Sequence, residues 1–114
     1  MKKYVPLLFL FTLIAALPYA PEFTWTPPTR FVSGAVLNPE TDLSEYRLYC
    51  EEALIATIPA PTLEYLTSAN ELSAGPHSCY LTAVDLALQE SGPSGVVNFI
   101  VAADVPEPPV LTYN

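Results

Sequence analysis

Past residue 20 the chain alternates apolar and polar positions in short runs, and no stretch holds a helical period over three turns. In "EFTWT", Phe23 and Trp25 fall on one face and Thr24 and Thr26 on the other, until Pro27 and Pro28 end the run. A long connection marked by Gly34, Asn38 and Pro39 follows. In "EYRLYC", Tyr46, Leu48 and Cys50 then share one face, with Arg47 and Tyr49 on the other. "ALIATIPAP" reads as an edge strand stopped by Pro59 and Pro61, and "TLEYLTS" as a short strand around Tyr65. The clearest strand is "HSCYLTAVD", with His77, Cys79, Leu81 and Ala83 aligned. "LALQESGPS" turns the chain, and "GVVNFIVAA" is the last strand of the domain. This pattern predicts an all-β protein, an antiparallel two-sheet sandwich first and a small barrel second.

The first twenty residues differ from the rest. Lys2 and Lys3 precede an apolar stretch from Val5 to Leu17 and then small residues, the layout of a secretory signal. The stretch is short for a membrane span, so an uncleaved anchor is the secondary reading. Cleavage after Ala20 places Pro18 and Pro21 unfavourably around the cut, and cleavage after Ala16 is the alternative. The resulting organisation is a signal over 1–20, one domain over 21–103, and a Pro-rich tail over 104–114. Of 114 residues, 94 remain after removal of the first 20, enough for one modest core.

Charge narrows the possible partners. The processed chain keeps all 12 acids and only Arg30 and Arg47 as fixed cations, so 2 minus 12 leaves −10. Such a surface repels phosphate backbones and anionic headgroups, which argues against nucleic acid, and against membrane unless the N-terminal segment is retained. Two cysteines, Cys50 and Cys79, in an exported chain predict a structural disulfide, with free buried thiols as the alternative. With one histidine they are too few for a zinc site.

"FTWTPPT", "DLSEYRLYC", "ELSAGPHSCYLTAVD" and "QESGPSGVVNFIV", in that order, resemble a fibronectin type III domain of the bacterial or phage type, from Phe23 to Val101. The resemblance implies an immunoglobulin-like sandwich in which Trp25 closes strand B, Tyr46 opens strand C, "TAVD" lies in strand F, and "ESGPS" leads into strand G. It also implies that Cys50 at the end of C and Cys79 at the start of F lie side by side as a cross-strand disulfide. Two departures stand out. His77 occupies the inward position at which the family places a tyrosine, and is expected to be a core-edge residue hydrogen-bonded to backbone. Strand A, which the family places ahead of the tryptophan strand, is missing from the processed chain or supplied by another segment.

Catalytic chemistry is not expected. No nucleophile elbow, phosphate-cradling glycine loop or H-E-x-x-H occurs, and the sole histidine faces a predicted core. Neither a cofactor nor a metal is implied: Glu40, Asp42 and Glu45 lack the dense alternating ligands of a calcium loop and read as a solvated acidic loop. Tyr49 and Tyr80 face outward on adjacent predicted strands and form the candidate binding face for a protein or a carbohydrate. The expectation is a secreted, periplasmic or cell-surface, non-catalytic interaction module whose partner is unknown. The alternative is a self-assembling subunit whose tail, residues 104–114, adds as a strand to another copy.

Overall fold

The computed structural model describes residues 10–17, 20–68 and 71–114. Among these, seven strands form two antiparallel sheets. One holds β1 (Leu10–Leu17), β2 (Ala20–Thr26) and β5 (Glu64–Leu66) in the order β1-β2-β5. The other holds β3 (Leu43–Cys50), β4 (Ala53–Pro59), β6 (Gly75–Asp85) and β7 (Val97–Val101) in the order β4-β3-β6-β7. Two separate sheets make a sandwich rather than a barrel.

The alternation places the core. Phe23 and Trp25 from β2 meet Tyr46, Leu48 and Leu81 from the facing sheet, all buried, with Leu37 and Leu72 entering from connections. The indole of Trp25 lies 5.3 Å from the Tyr46 ring, and Phe23 meets Phe99 edge-on at 5.6 Å. Tyr46 is pushed up to about 12 because burial disfavours its phenolate, with Trp25 acting weakly in the opposite sense.

Alternation fails at the far end of β6, where Ala83, Val84 and Asp85 are all buried. The "ESGPS" segment folds back over that end and bridges Glu90 to Val84. It also continues the hydrogen-bond ladder beyond β7, which pairs only with Gly75–Cys79. The Ser91 and Ser94 hydroxyls accept the amide hydrogens of Ala83 and Leu81, both at 2.9 Å. The Ser91 and Ser94 amides donate to the Ala83 and Leu81 carbonyls, both at 2.8 Å. Serines therefore stand in for a missing stretch of partner strand, which keeps buried backbone groups satisfied.

Ahead of Phe23 the place beside β2 is filled. β1 pairs with it from Leu10 opposite Thr26 to Leu17 opposite Ala20. Strand A is thus supplied by another segment, and that segment is the apolar run whose layout matches an export signal. A short apolar run is common to the middle of a signal and to a buried strand, so one layout carries both expectations. Lys2, Lys3 and Pro18 lie outside the described residues. At the other terminus the tail carries no secondary structure and is exposed throughout.

The β3–β4 hairpin turns on Glu51 and Glu52, both with positive φ, 49° and 64°. That is the type I′ geometry, which normally selects Asn-Gly. Glu51 is held there by side-chain contacts described below, whereas no such contact recommends Glu52. Glu52→Gly is therefore expected to stabilise the domain by about 0.5–1 kcal/mol, since relief of the left-handed strain exceeds the added chain entropy. Urea unfolding checks this, and an unchanged or lower midpoint contradicts it.

Candidate interaction face

Tyr49 and Tyr80 are direct cross-strand partners on the outer face of the four-stranded sheet. Their rings stack on each other, centroids 5.0 Å apart and planes 11° from parallel. One face of each ring is therefore spent on the other, and rims and hydroxyls are what the pair offers to solvent.

Beside them Glu90 gathers three donors. The Tyr49 hydroxyl and the Thr82 hydroxyl donate to its Oε2, the latter at 2.7 Å, and Arg47 Nη1 donates to Oε1 at 3.1 Å. Arg47 also donates through Nε to Glu45 Oε2 at 2.7 Å. Glu45 and Glu90 hold Arg47 charged, Glu45 foremost. Burial and the Glu90 carboxylate both raise the Tyr49 hydroxyl above its ordinary value, outweighing Arg47, so it stays a neutral donor. The Arg47 and Glu90 side chains are 32% and 19% exposed, so this network is fixed yet reachable. An open depression of about 290 Å³ adjoins it, lined by Tyr80, Thr82, Glu90, Gly92 and Pro93 among others.

The acidic loop does not form a cluster. Asp42 Oδ2 accepts the Asn38 amide at 2.7 Å and so closes its own loop, while Glu45 faces Arg47. Among the described residues no group of three His, Cys, Asp or Glu side chains is placed to hold a metal ion.

His77 is buried on β6, as expected, and its Nε2 bonds the Ser73 carbonyl at 2.6 Å. Its Nδ1 meets Glu51 Oε1, also at 2.6 Å, and the second Glu51 oxygen accepts the Ser78 amide. Two acceptors on one ring are both served when each nitrogen carries a hydrogen, so these contacts favour the imidazolium and engage both ring nitrogens. Burial alone lowers the basicity of His77, but the Ser73 carbonyl and Glu51 outweigh it and leave the pKa raised. Glu51 is lowered, chiefly by the Ser78 amide, with His77 adding to the effect.

The signs follow from linkage. A raised histidine stabilises fully below about pH 6.5, and that contribution is lost as pH rises through the folded value. A lowered carboxylate stabilises above about pH 4.5 and is lost as pH falls. The pair should support the fold most between about pH 5 and 6.5. An NMR titration is expected to place His77 above the ordinary histidine value and Glu51→Gln to bring it down; an unmoved His77 contradicts the pairing.

Cys50 and Cys79, opposite each other across β3 and β6, form a disulfide with Cα atoms 4.1 Å apart. Glu51 and Glu90 are the site residues that sequence reading passed over. Glu51 lies between two predicted strands with no pattern of its own, and Glu90 lies in the "ESGPS" segment that leads into strand G. Their partners stand 26 and 41 residues away along the chain.

The strand order and register define a fibronectin type III-like fold, and known structures agree. A fibronectin(III)-like module of CbhA from Clostridium thermocellum matches with TM-score 0.55 and 16% identity, over 82% of this chain and 97% of that one. The central fibronectin-III array of RIM-binding protein matches with TM-score 0.57 and 20% identity, over 82% of this chain and 34% of that one. The β-1,2-glucanase of Parabacteroides distasonis matches with TM-score 0.62 and 19% identity, over 90% of this chain but 13% of the enzyme. No family model matches the chain, and no curated protein sequence does. No helix in the described residues is long and apolar enough to cross a membrane.

Proposed function

We propose that this chain is an exported, non-catalytic fibronectin type III-like module that binds a protein or carbohydrate partner at a cell or particle surface through the Tyr49–Tyr80 face. The observation that carries the reading is the half-exposed tyrosine pair tied to Arg47, Glu90 and Thr82. A fixed array of hydroxyls, a carboxylate and a guanidinium beside aromatic rims suits a polar ligand, because its donors and acceptors are ordered before binding. The disulfide fits an oxidising compartment, and the layout of residues 1–20 supports export. The His77 ring, with both nitrogens engaged by Ser73 and Glu51, supports a structural role for this residue.

Glycan arrays and cell-surface binding assays on the purified protein test this. Tyr80→Ala is expected to weaken binding at least tenfold with the circular dichroism spectrum unchanged. Unaltered binding removes this face, and wild-type signal no higher than that of a scrambled control removes the binding reading altogether.

The second reading, a self-assembling subunit, is favoured by one observation. The strand that covers β2 is made from the residues that export would remove.

A further inference from the structure

The tail repeats, in order and type, the residues that open β1. Leu10-Phe11-Thr12-Leu13 and Val110-Leu111-Thr112-Tyr113 are both two apolar residues, a threonine and an apolar residue. In β1 those four lie opposite Thr26, Trp25, Thr24 and Phe23, with Thr12 against Thr24. The tail copy is unused: Val110, Leu111 and Tyr113 are 89%, 97% and 100% exposed. Three such residues on an extended, β-prone segment are an uncommon exposure for a soluble chain and mark a segment that seeks a sheet edge.

We propose that Val110–Tyr113 of one copy pair with β2 of a second copy, in the places that Leu10–Leu13 hold in β1. This rests on the export reading, since removal of residues 1–20 is what opens the edge of β2. It goes further in naming the occupant, the edge and the register.

Direction points to a second copy. Phe23 packs on Phe99 near the Gly75 end of β6, and Trp25 packs on Tyr46, which lies opposite Ala83 near its other end. Val101, opposite Gly75, therefore releases the tail at one end of the sandwich. A strand in the direction of β1 enters at the opposite end, beside Thr26. The linker 102–109, about 28 Å when fully extended, carries Pro106, Pro108 and Pro109, which stiffen it against the reversal needed to enter beside Thr26 of its own domain. A domain placed beyond the release point receives the tail without that reversal. Pro109 falls at the entry to the new strand, where a missing N–H does no harm. The interface is head-to-tail and does not close, so the product is a chain of subunits rather than a dimer.

The test uses the full sequence expressed in a secreting bacterium, with the exported protein analysed by mass spectrometry and by light scattering after size exclusion. The mass reports whether residues 1–20 are gone, which tests the export reading by itself. Thr24→Cys with Thr112→Cys is expected to give a ladder of crosslinked species on non-reducing gels, and Thr57→Cys with Thr112→Cys, on the exposed side of β4, to give none. Thr112→Pro is expected to return the assembly to monomer with its circular dichroism intact. A processed protein that is monomeric, or that crosslinks equally from Thr57, overturns the inference and leaves export standing. A protein that retains residues 1–20 and stays monomeric overturns both.

Discussion

Trp25→Ala is expected to destabilise the domain by about 3–5 kcal/mol, the cost of emptying a large aromatic site in a packed core. Trp25 is 5% exposed, rests on Tyr46 at 5.3 Å, and anchors β2 to the connection before β5 through its amide, which donates to the Leu63 carbonyl. The backbone bond survives the substitution and the side-chain contacts do not, so the loss measures packing. Against a total stability of about 5–15 kcal/mol this is a loss of at least about a fifth, and a total near the lower end leaves the variant partly unfolded at ambient temperature. Since Trp25 is the sole tryptophan, unfolding must be followed by circular dichroism rather than by indole emission. Trp25→Phe is expected to recover more than half of the loss. A loss below about 1.5 kcal/mol for the alanine variant would mean that the two sheets close over the gap, contrary to a close-packed interior.

Removing the disulfide comes next in size. Cys50 and Cys79 are 29 residues apart in sequence, and the loop-entropy account assigns such a crosslink ~3.6 kcal/mol, towards the upper end of what is observed. The crosslink joins β3 and β6, the two central strands of the four-stranded sheet, at the end where Glu51 also ties the hairpin to Ser78 and His77. Some of the constraint is therefore duplicated by hydrogen bonds, and Cys50→Ala with Cys79→Ala is expected to cost about 2.5–3.5 kcal/mol. Urea midpoints with and without reductant check it: the wild type should fall to the level of the double variant, and the double variant should not respond. A wild type indifferent to complete reduction would show that hydrogen bonds alone hold that end.

Most of the architecture was legible in the chain because a strand with one buried face leaves a period of two in the sequence. Phe23 with Trp25, Tyr46 with Leu48, and Cys79 with Leu81 all took the faces that alternation assigns them. Thr82 and Val84, on the other face of β6, broke the rule because a loop covers that face there, and a covering loop leaves no periodic mark. The tyrosine pair was legible as two outward positions. Its stacking on itself was not, since a one-residue change of register would have separated the rings.

The two glutamates mark the same divide. Nothing beside Glu90 in the chain indicates that Arg47, Tyr49 and Thr82 converge on it, and nothing beside Glu51 points to His77. Local residue order alone determined the strands from β2 onward, their buried faces, the turns and the partners available to two cysteines, because each depends on near neighbours and on period. Tertiary structure decided which carboxylate meets which cation, and which apolar segment lies beside β2. Those outcomes depend on the register of strands far apart in sequence, and an apolar run carries no record of the edge it will cover.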